Sequence, residues 1–165
     1  MMTIKYDPRE FLKKIAPARK IEKLVTSRLT LNKAVLSLLT DAPFISKPTV
    51  ERTALRVIKG YREKYQDEKE EGVPADEAKE DALADKKLLV NRVENSIVNQ
   101  VAEEIKDQYR GEYYKWLPSD ADEPDPVHQL NYGQKFQIGK GEMPGDRYGC
   151  RCGMAILVKE SKLEL

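Results

Sequence analysis

The C-terminal stretch 116–165 has too few large apolar side chains to build a core unaided, yet it holds both cysteines and the only histidine of the chain. Both cysteines, Cys150 and Cys152, lie in GDRYGCRCGMAIL (145–157), separated by Arg151 alone. The sole histidine, His128, lies upstream in DEPDPVHQLNYGQKF. Units below about 40 residues usually need a metal or a disulfide to stay folded. A disulfide across one intervening residue is strained. Reduced thiols, either packed or metal-bound, are therefore expected.

Two readings of this cluster stand. In the first, Cys150 and Cys152 give two thiolates and His128 a nitrogen to a tetrahedral zinc ion. Asp125, three residues before His128, is then the candidate fourth ligand. In the second, the cysteines alternate on a strand, face one side and serve as small core residues. A Cys–His nucleophile lacks an evident orienting group in the sequence. Asp120, Asp122, Glu123 and Asp125 form an acidic run, which reads as a solvated loop. Gly139 and Gly141 lack the Lys-Ser/Thr ending and the following helix of a phosphate-binding loop.

The rest of the chain carries helical periodicity. Asp7 is placed to cap a helix with Pro8 at its first position and Glu10 as a capping-box partner. Pro17 should kink or restart that helix. Ile21, Leu24, Val25, Leu31, Val35, Leu38 and Leu39 continue the period up to DAPFISKP. A second helix is expected from about 46–49, carrying Leu55, Val57, Ile58, Tyr61 and Tyr65. Gly72 and Pro74 then mark an exposed turn or linker. A third is expected from about Ala75 to Tyr113, on the order of 50 Å long, as one arm of a hairpin or as a rod packing against other subunits. Trp116 follows at the helix-to-module junction. QKFQIG and GMAILVKE read as short strands, with Phe136 alternating with Ile138, and Met154 with Ile156 and Val158. The expected fold class is α+β: a helical region over 1–115, in a long-helix hairpin or bundle, then a small loop-rich β module over 116–165.

Composition narrows the function classes. Charged residues make up 35% of the 165 and the net charge is +1; the mean hydropathy is −0.65. Interleaved acids and bases predict solvated helix faces rather than a stripe for nucleic acid. No apolar run reaches the ~18–20 residues of a membrane span, and no signal-peptide core opens the chain. Synthesis in the cytoplasm is expected.

Residues 114–157, YKWLPSDADEPDPVHQLNYGQKFQIGKGEMPGDRYGCRCGMAIL, resemble the C-terminal signature of the phage Mu F-like head morphogenesis family, the phage minor head proteins. An aromatic-led strand, an acidic residue, a Cys or Arg three before a Cys or His, a Leu, a Gly, a Phe, a Pro-Gly turn and a Cys-Arg-Cys strand make that signature. Here its places are held by Trp116, Asp122, Asp125, His128, Leu130, Gly133, Phe136, Pro144, Gly145, Asp146, Cys150, Arg151 and Cys152. At Asp125 many members carry cysteine or arginine instead. The resemblance covers about a quarter of the chain.

The resemblance implies a non-enzymatic virion protein of the phage head. It implies docking near the portal vertex or on the major capsid protein during head assembly, with structural zinc as candidate cofactor. It also gives Arg151 a structural place, binding the acidic loop or a neighbouring subunit. Self-association through the long helices and contact with packaged DNA are further expected partners. The alternative is a metal-dependent nuclease using His128 with Asp122 or Asp125.

Overall fold

A computed structural model describes residues 2–15, 17–26, 56–119 and 125–158. They form a mixed α+β arrangement, divided into two compact units, 14–97 and 1–13 with 98–165. The expected beginning of the second helix, the periodic positions Leu31 to Leu39, and Asp120, Asp122 and Glu123 lie outside the described residues.

The 14–97 unit contains α2 (Pro17–Thr26), α3 (Lys59–Glu70), α4 (Ala75–Ala82) and the N-terminal half of α5 (Lys86–Tyr109). Helix α2 packs on α3 and α4, which also pack on each other. Ile21, Val25, Ile58, Tyr65, Ala78, Ala82, Leu89, Val93 and Ile97 are buried. The single third helix expected from Ala75 is in fact two. Helix α4 stops at Leu83, and Asp85 starts α5 by accepting the backbone N–H of Leu88 at 3.1 Å. An aspartate three residues ahead of a free amide offers a local cap that competes with an unbroken helix. Apolar spacing is blind to such a break, because it runs on through it.

The other unit is built on a four-stranded antiparallel sheet in the order β1-β4-β2-β3: β1 (Met2–Tyr6), β2 (Tyr113–Leu117), β3 (Lys135–Gln137) and β4 (Gly153–Val158). Register aligns Tyr6, Met154 and Trp116 across three strands, and Ile4, Ile156, Tyr114 and Phe136 across four. Paired residues share a face, so these rows make one apolar side. Strands β3 and β4 lie where alternation predicts them. Strand β1 and the extent of β2 differ from expectation. Helix α5 ends at Tyr109, the chain turns at Arg110–Gly111, and the aromatic run that read as a helix end is extended. The expected border at 115/116 therefore runs through β2, and the compact unit also takes in β1 and the second half of α5. A short β module cannot cover both sides of its central strand β4 by itself, and an N-terminal strand supplies one neighbour.

Helix α1 (Pro8–Ile15) follows β1 as its capping pattern predicts, with Asp7 accepting the Arg9 N–H at 3.0 Å. Helix α2 restarts at Pro17. No helix among the described residues is long and apolar enough to cross a membrane.

The junction of β1 and β4 has no room to spare. A Cβ added to Gly153 would lie 2.5 Å from the Tyr6 carbonyl oxygen. Gly153→Ala is expected to cost about 1–3 kcal/mol, the usual range for overpacking. Chemical denaturation measures the loss, and faster hydrogen exchange confined to β1 amides assigns it to this junction.

Candidate metal centre

His128 is presented by a single turn of helix, α6 (Pro126–Gln129). Pro126 pre-sets the first helical position, and Asp125 caps the turn by accepting the Val127 N–H at 2.9 Å. The imidazole then lies against Trp116, with ring centroids 4.8 Å apart. Trp116 in turn meets Phe136 at 5.8 Å. The Trp116 backbone is held from both sides, its carbonyl accepting from Gly133 N–H at 2.8 Å and its N–H donating to Gln134 at 3.0 Å. Gly133 sits at φ +76, a left-handed conformation that glycine adopts without strain.

Cys150 and Cys152 lie just before β4, after a turn over 143–146. Asp146 organises that turn by accepting from Met143 N–H at 2.8 Å and pairing with Lys106 at 2.8 Å. Gly145 passes so close to α5 that a Cβ would meet the Val98 carbonyl at 3.2 Å, and its N–H donates to the Cys150 sulfur at 3.3 Å.

The three side chains converge. His128 Nδ1 is 3.6 Å from Cys150 Sγ and 3.8 Å from Cys152 Sγ, and the three donor atoms lie within 4.8 Å of one another. A tetrahedral ion with bonds of about 2.3 Å to sulfur and 2.0 Å to nitrogen separates such ligands by roughly 3.5 Å. The cluster can therefore hold a metal ion with little rearrangement. All three residues are buried, His128 at 2%, Cys150 at 8% and Cys152 at 3% exposure.

The surroundings favour negative sulfur. The Cys152 thiol is pulled below its usual range, first by a hydrogen bond from Cys150, against the opposing effect of burial. Trp116, Tyr132 and Ser119 add to the pull. Trp116 Nε1 and the Tyr132 hydroxyl are buried without a well-formed hydrogen bond of their own. A thiolate beside them would relieve part of that cost. The Cys150 thiol is pushed up, chiefly because it is the donor to Cys152.

Asp125, the expected fourth ligand, stands outside the cluster. One of its oxygens caps α6 and the other accepts from Arg147 Nη1 at 2.9 Å. Its carboxyl is held below the usual range first by the Val127 N–H, with Arg147 contributing. The cap outcompetes ligation because the amide is two residues away and needs no reorganisation. Arg151 Nη1 donates to the Cys150 carbonyl at 3.1 Å. Arg147 and Glu142 had no signal in the sequence beyond being charged. Glu142 accepts from His128 Nε2 at 2.7 Å and from Arg147 Nε at 2.7 Å. A cleft of about 620 Å³ opens over the cluster, lined by Ser119, Asp125, Arg147, Tyr148 and Arg151 among others.

No family model, curated protein or solved structure matches the chain. The likeness to the phage head family rests on the signature residues and their spacing.

Two outcomes are expected. Protein purified without chelator carries about one divalent metal ion per chain by elemental analysis, and Cys150→Ser or Cys152→Ser abolishes it. Structural zinc is worth on the order of 10 kcal/mol in small zinc peptides, whereas truncating a core side chain costs about 2–5 kcal/mol. Metal removal should therefore lower thermal stability more than truncating Ile156 does. Metal-free protein whose two thiols resist alkylation until it unfolds would return the cysteines to the packed-core reading. Separately, the Asp125 contribution is present above the ordinary aspartate pKa of about 3.9 and lost as pH falls through its lower folded value. Asp125→Asn should flatten the fall of Tm with pH below about 4.

Proposed function

We propose that the chain is a minor structural protein of a phage head, whose C-terminal unit is a zinc-stapled module and whose helical region docks it to the portal or major capsid protein during assembly. One observation carries this reading. Eight of the signature's residues, scattered over thirty-odd positions, gather around one compact site: Trp116, His128, Gly133, Phe136, Gly145, Asp146, Cys150 and Cys152. Trp116 walls the histidine, and Phe136 backs Trp116. Gly133 fixes Trp116. Gly145 and Asp146 shape the turn that delivers Cys150 and Cys152. A motif whose members support a buried staple fits a binding role, since none of these side chains is spent on an exposed catalytic group.

Zinc is the ion the donor set favours. Two thiolates and an imidazole in tetrahedral spacing suit it better than the oxygen-seeking magnesium or calcium. The helical region, read as a hairpin or bundle that also brings copies of the chain together, supplies the docking surface. The charge balance of +1 disfavours DNA as the main partner. The place of action is the virion head, after synthesis in the host cytoplasm.

A second reading has its own support. Three protein ligands beneath a cleft leave a fourth coordination position, the pattern of a hydrolytic metal site, and a metal-dependent nuclease would use it. Cys150, His128 and Glu142 also stand in the order of a nucleophile, base and orienting acid. Against both, the imidazole and sulfurs are buried, and the second sulfur is almost as close to Nδ1 as the first.

Co-expression with portal and major capsid proteins of the same phage tests the proposal. The chain is expected to sediment with head-sized particles or portal rings, and His128→Ala to reduce that association. A chain that sediments alone in the presence of both partners overturns it. DNA cleavage that is lost in His128→Ala would favour the nuclease.

A further inference from the structure

We propose that Glu142 is the positioning residue of the metal centre, with Arg147 and Asp125 as its supports, an assignment that rests on the metal reading above. The geometry is directional. Glu142 Oε1 lies 2.7 Å from His128 Nε2, on the side of the ring opposite the sulfurs. A carboxylate there accepts a hydrogen bond from a protonated Nε2. That leaves Nδ1 as a lone pair, facing Cys150 Sγ at 3.6 Å and Cys152 Sγ at 3.8 Å. The proton on Nε2 and the lone pair on Nδ1 are one choice, made by the glutamate.

Glu142 is itself held. The same oxygen receives Arg147 Nε at 2.7 Å, and Arg147 Nη1 reaches Asp125 Oδ2 at 2.9 Å. Asp125 also caps the turn that carries His128. The loop closes on itself: Asp125 sets the backbone of the histidine, and Arg147 ties that cap to the carboxylate that orients the ring. An exposed ion pair adds little to stability by itself, so stability does not account for this arrangement. Its value lies in fixing one tautomer and one ring angle. Carboxylate partners of metal-binding histidines typically change metal affinity 10- to 100-fold when removed.

The chain contains one histidine, so selective ¹⁵N labelling of histidine yields a single pair of ring-nitrogen signals. In the full-length protein, the expected spectrum has a protonated Nε2 and an unprotonated Nδ1, and only Nδ1 moves strongly when zinc is added. In a competition titration with a chromophoric chelator, Glu142→Ala should bind zinc 10- to 100-fold more weakly. Glu142→Gln, whose amide oxygen can still accept from Nε2, should recover part of that loss. Gln is nearly isosteric, so its spectrum reads the tautomer even where the alanine variant folds poorly. A wild type that binds one zinc per chain, with Glu142→Ala and Glu142→Gln binding equally well, overturns the role of Glu142 and leaves the metal centre standing. A proton on Nδ1 of the zinc-free wild type overturns it as well. A wild type that binds no zinc removes the metal centre and this assignment with it.

Discussion

Everything at the candidate site depends on one imidazole held between a carboxylate and two sulfurs. In the tautomer proposed above, His128 Nδ1 faces Cys150 and Cys152 as a lone pair and Nε2 carries the proton. Glu142 Oε1 lies 2.7 Å from Nε2. The wider fold follows the same logic of holding the ring still. Trp116 lies against it, β2 holds Trp116, and β4 begins at the residue after Cys152. Sheet register therefore reaches both kinds of donor: pairing of Trp116 with Met154 sets the indole beside the sulfurs as well as beside the histidine.

The unit is small for the polar chemistry it buries. Its apolar rows, Tyr6–Met154–Trp116 and Ile4–Ile156–Tyr114–Phe136, are short. Two thiols, an imidazole, an indole N–H and a phenol hydroxyl lie together at its end. Buried polar groups without partners cost about 1–3 kcal/mol each. A cation bound to the sulfurs would draw the donors around Cys152 into charge-assisted bonds and convert that cost into stabilisation. The cleft above the cluster is the one feature that a purely closed structural site would not need. It keeps the hydrolytic reading in play beside the structural one, and the two differ in what an outside ligand could reach.

The local elements were legible where the signal was local. Pro8 and Asp7 mark the beginning of α1, Pro17 the restart at α2, and the alternation Met154, Ile156, Val158 the strand β4. The readings that failed did so where two local signals compete. Apolar spacing runs through Leu83 to Asp85, but a cap at Asp85 breaks the helix there. Tyr113–Leu117 has helical neighbours and β-favouring side chains, and its partners on β3 and β4 decide for strand. Strand β1 offered only a five-residue alternation at the chain's beginning, too short to stand out before its partner at residues 154–158 is known.

Residue type and order alone determined which three side chains could meet a soft metal, because the chain has one histidine and two cysteines and places all three in a stretch poor in apolar bulk. Tertiary structure decided who serves them. Asp125, close in sequence to His128, is drawn to the nearer amide it can cap, while Glu142, fourteen positions away, reaches the ring. A carboxylate looks the same in a sequence wherever it stands. Its role comes from which donor the folded backbone brings within three ångströms, and only the turn at 143–146 and the register of β2 on β4 set that distance.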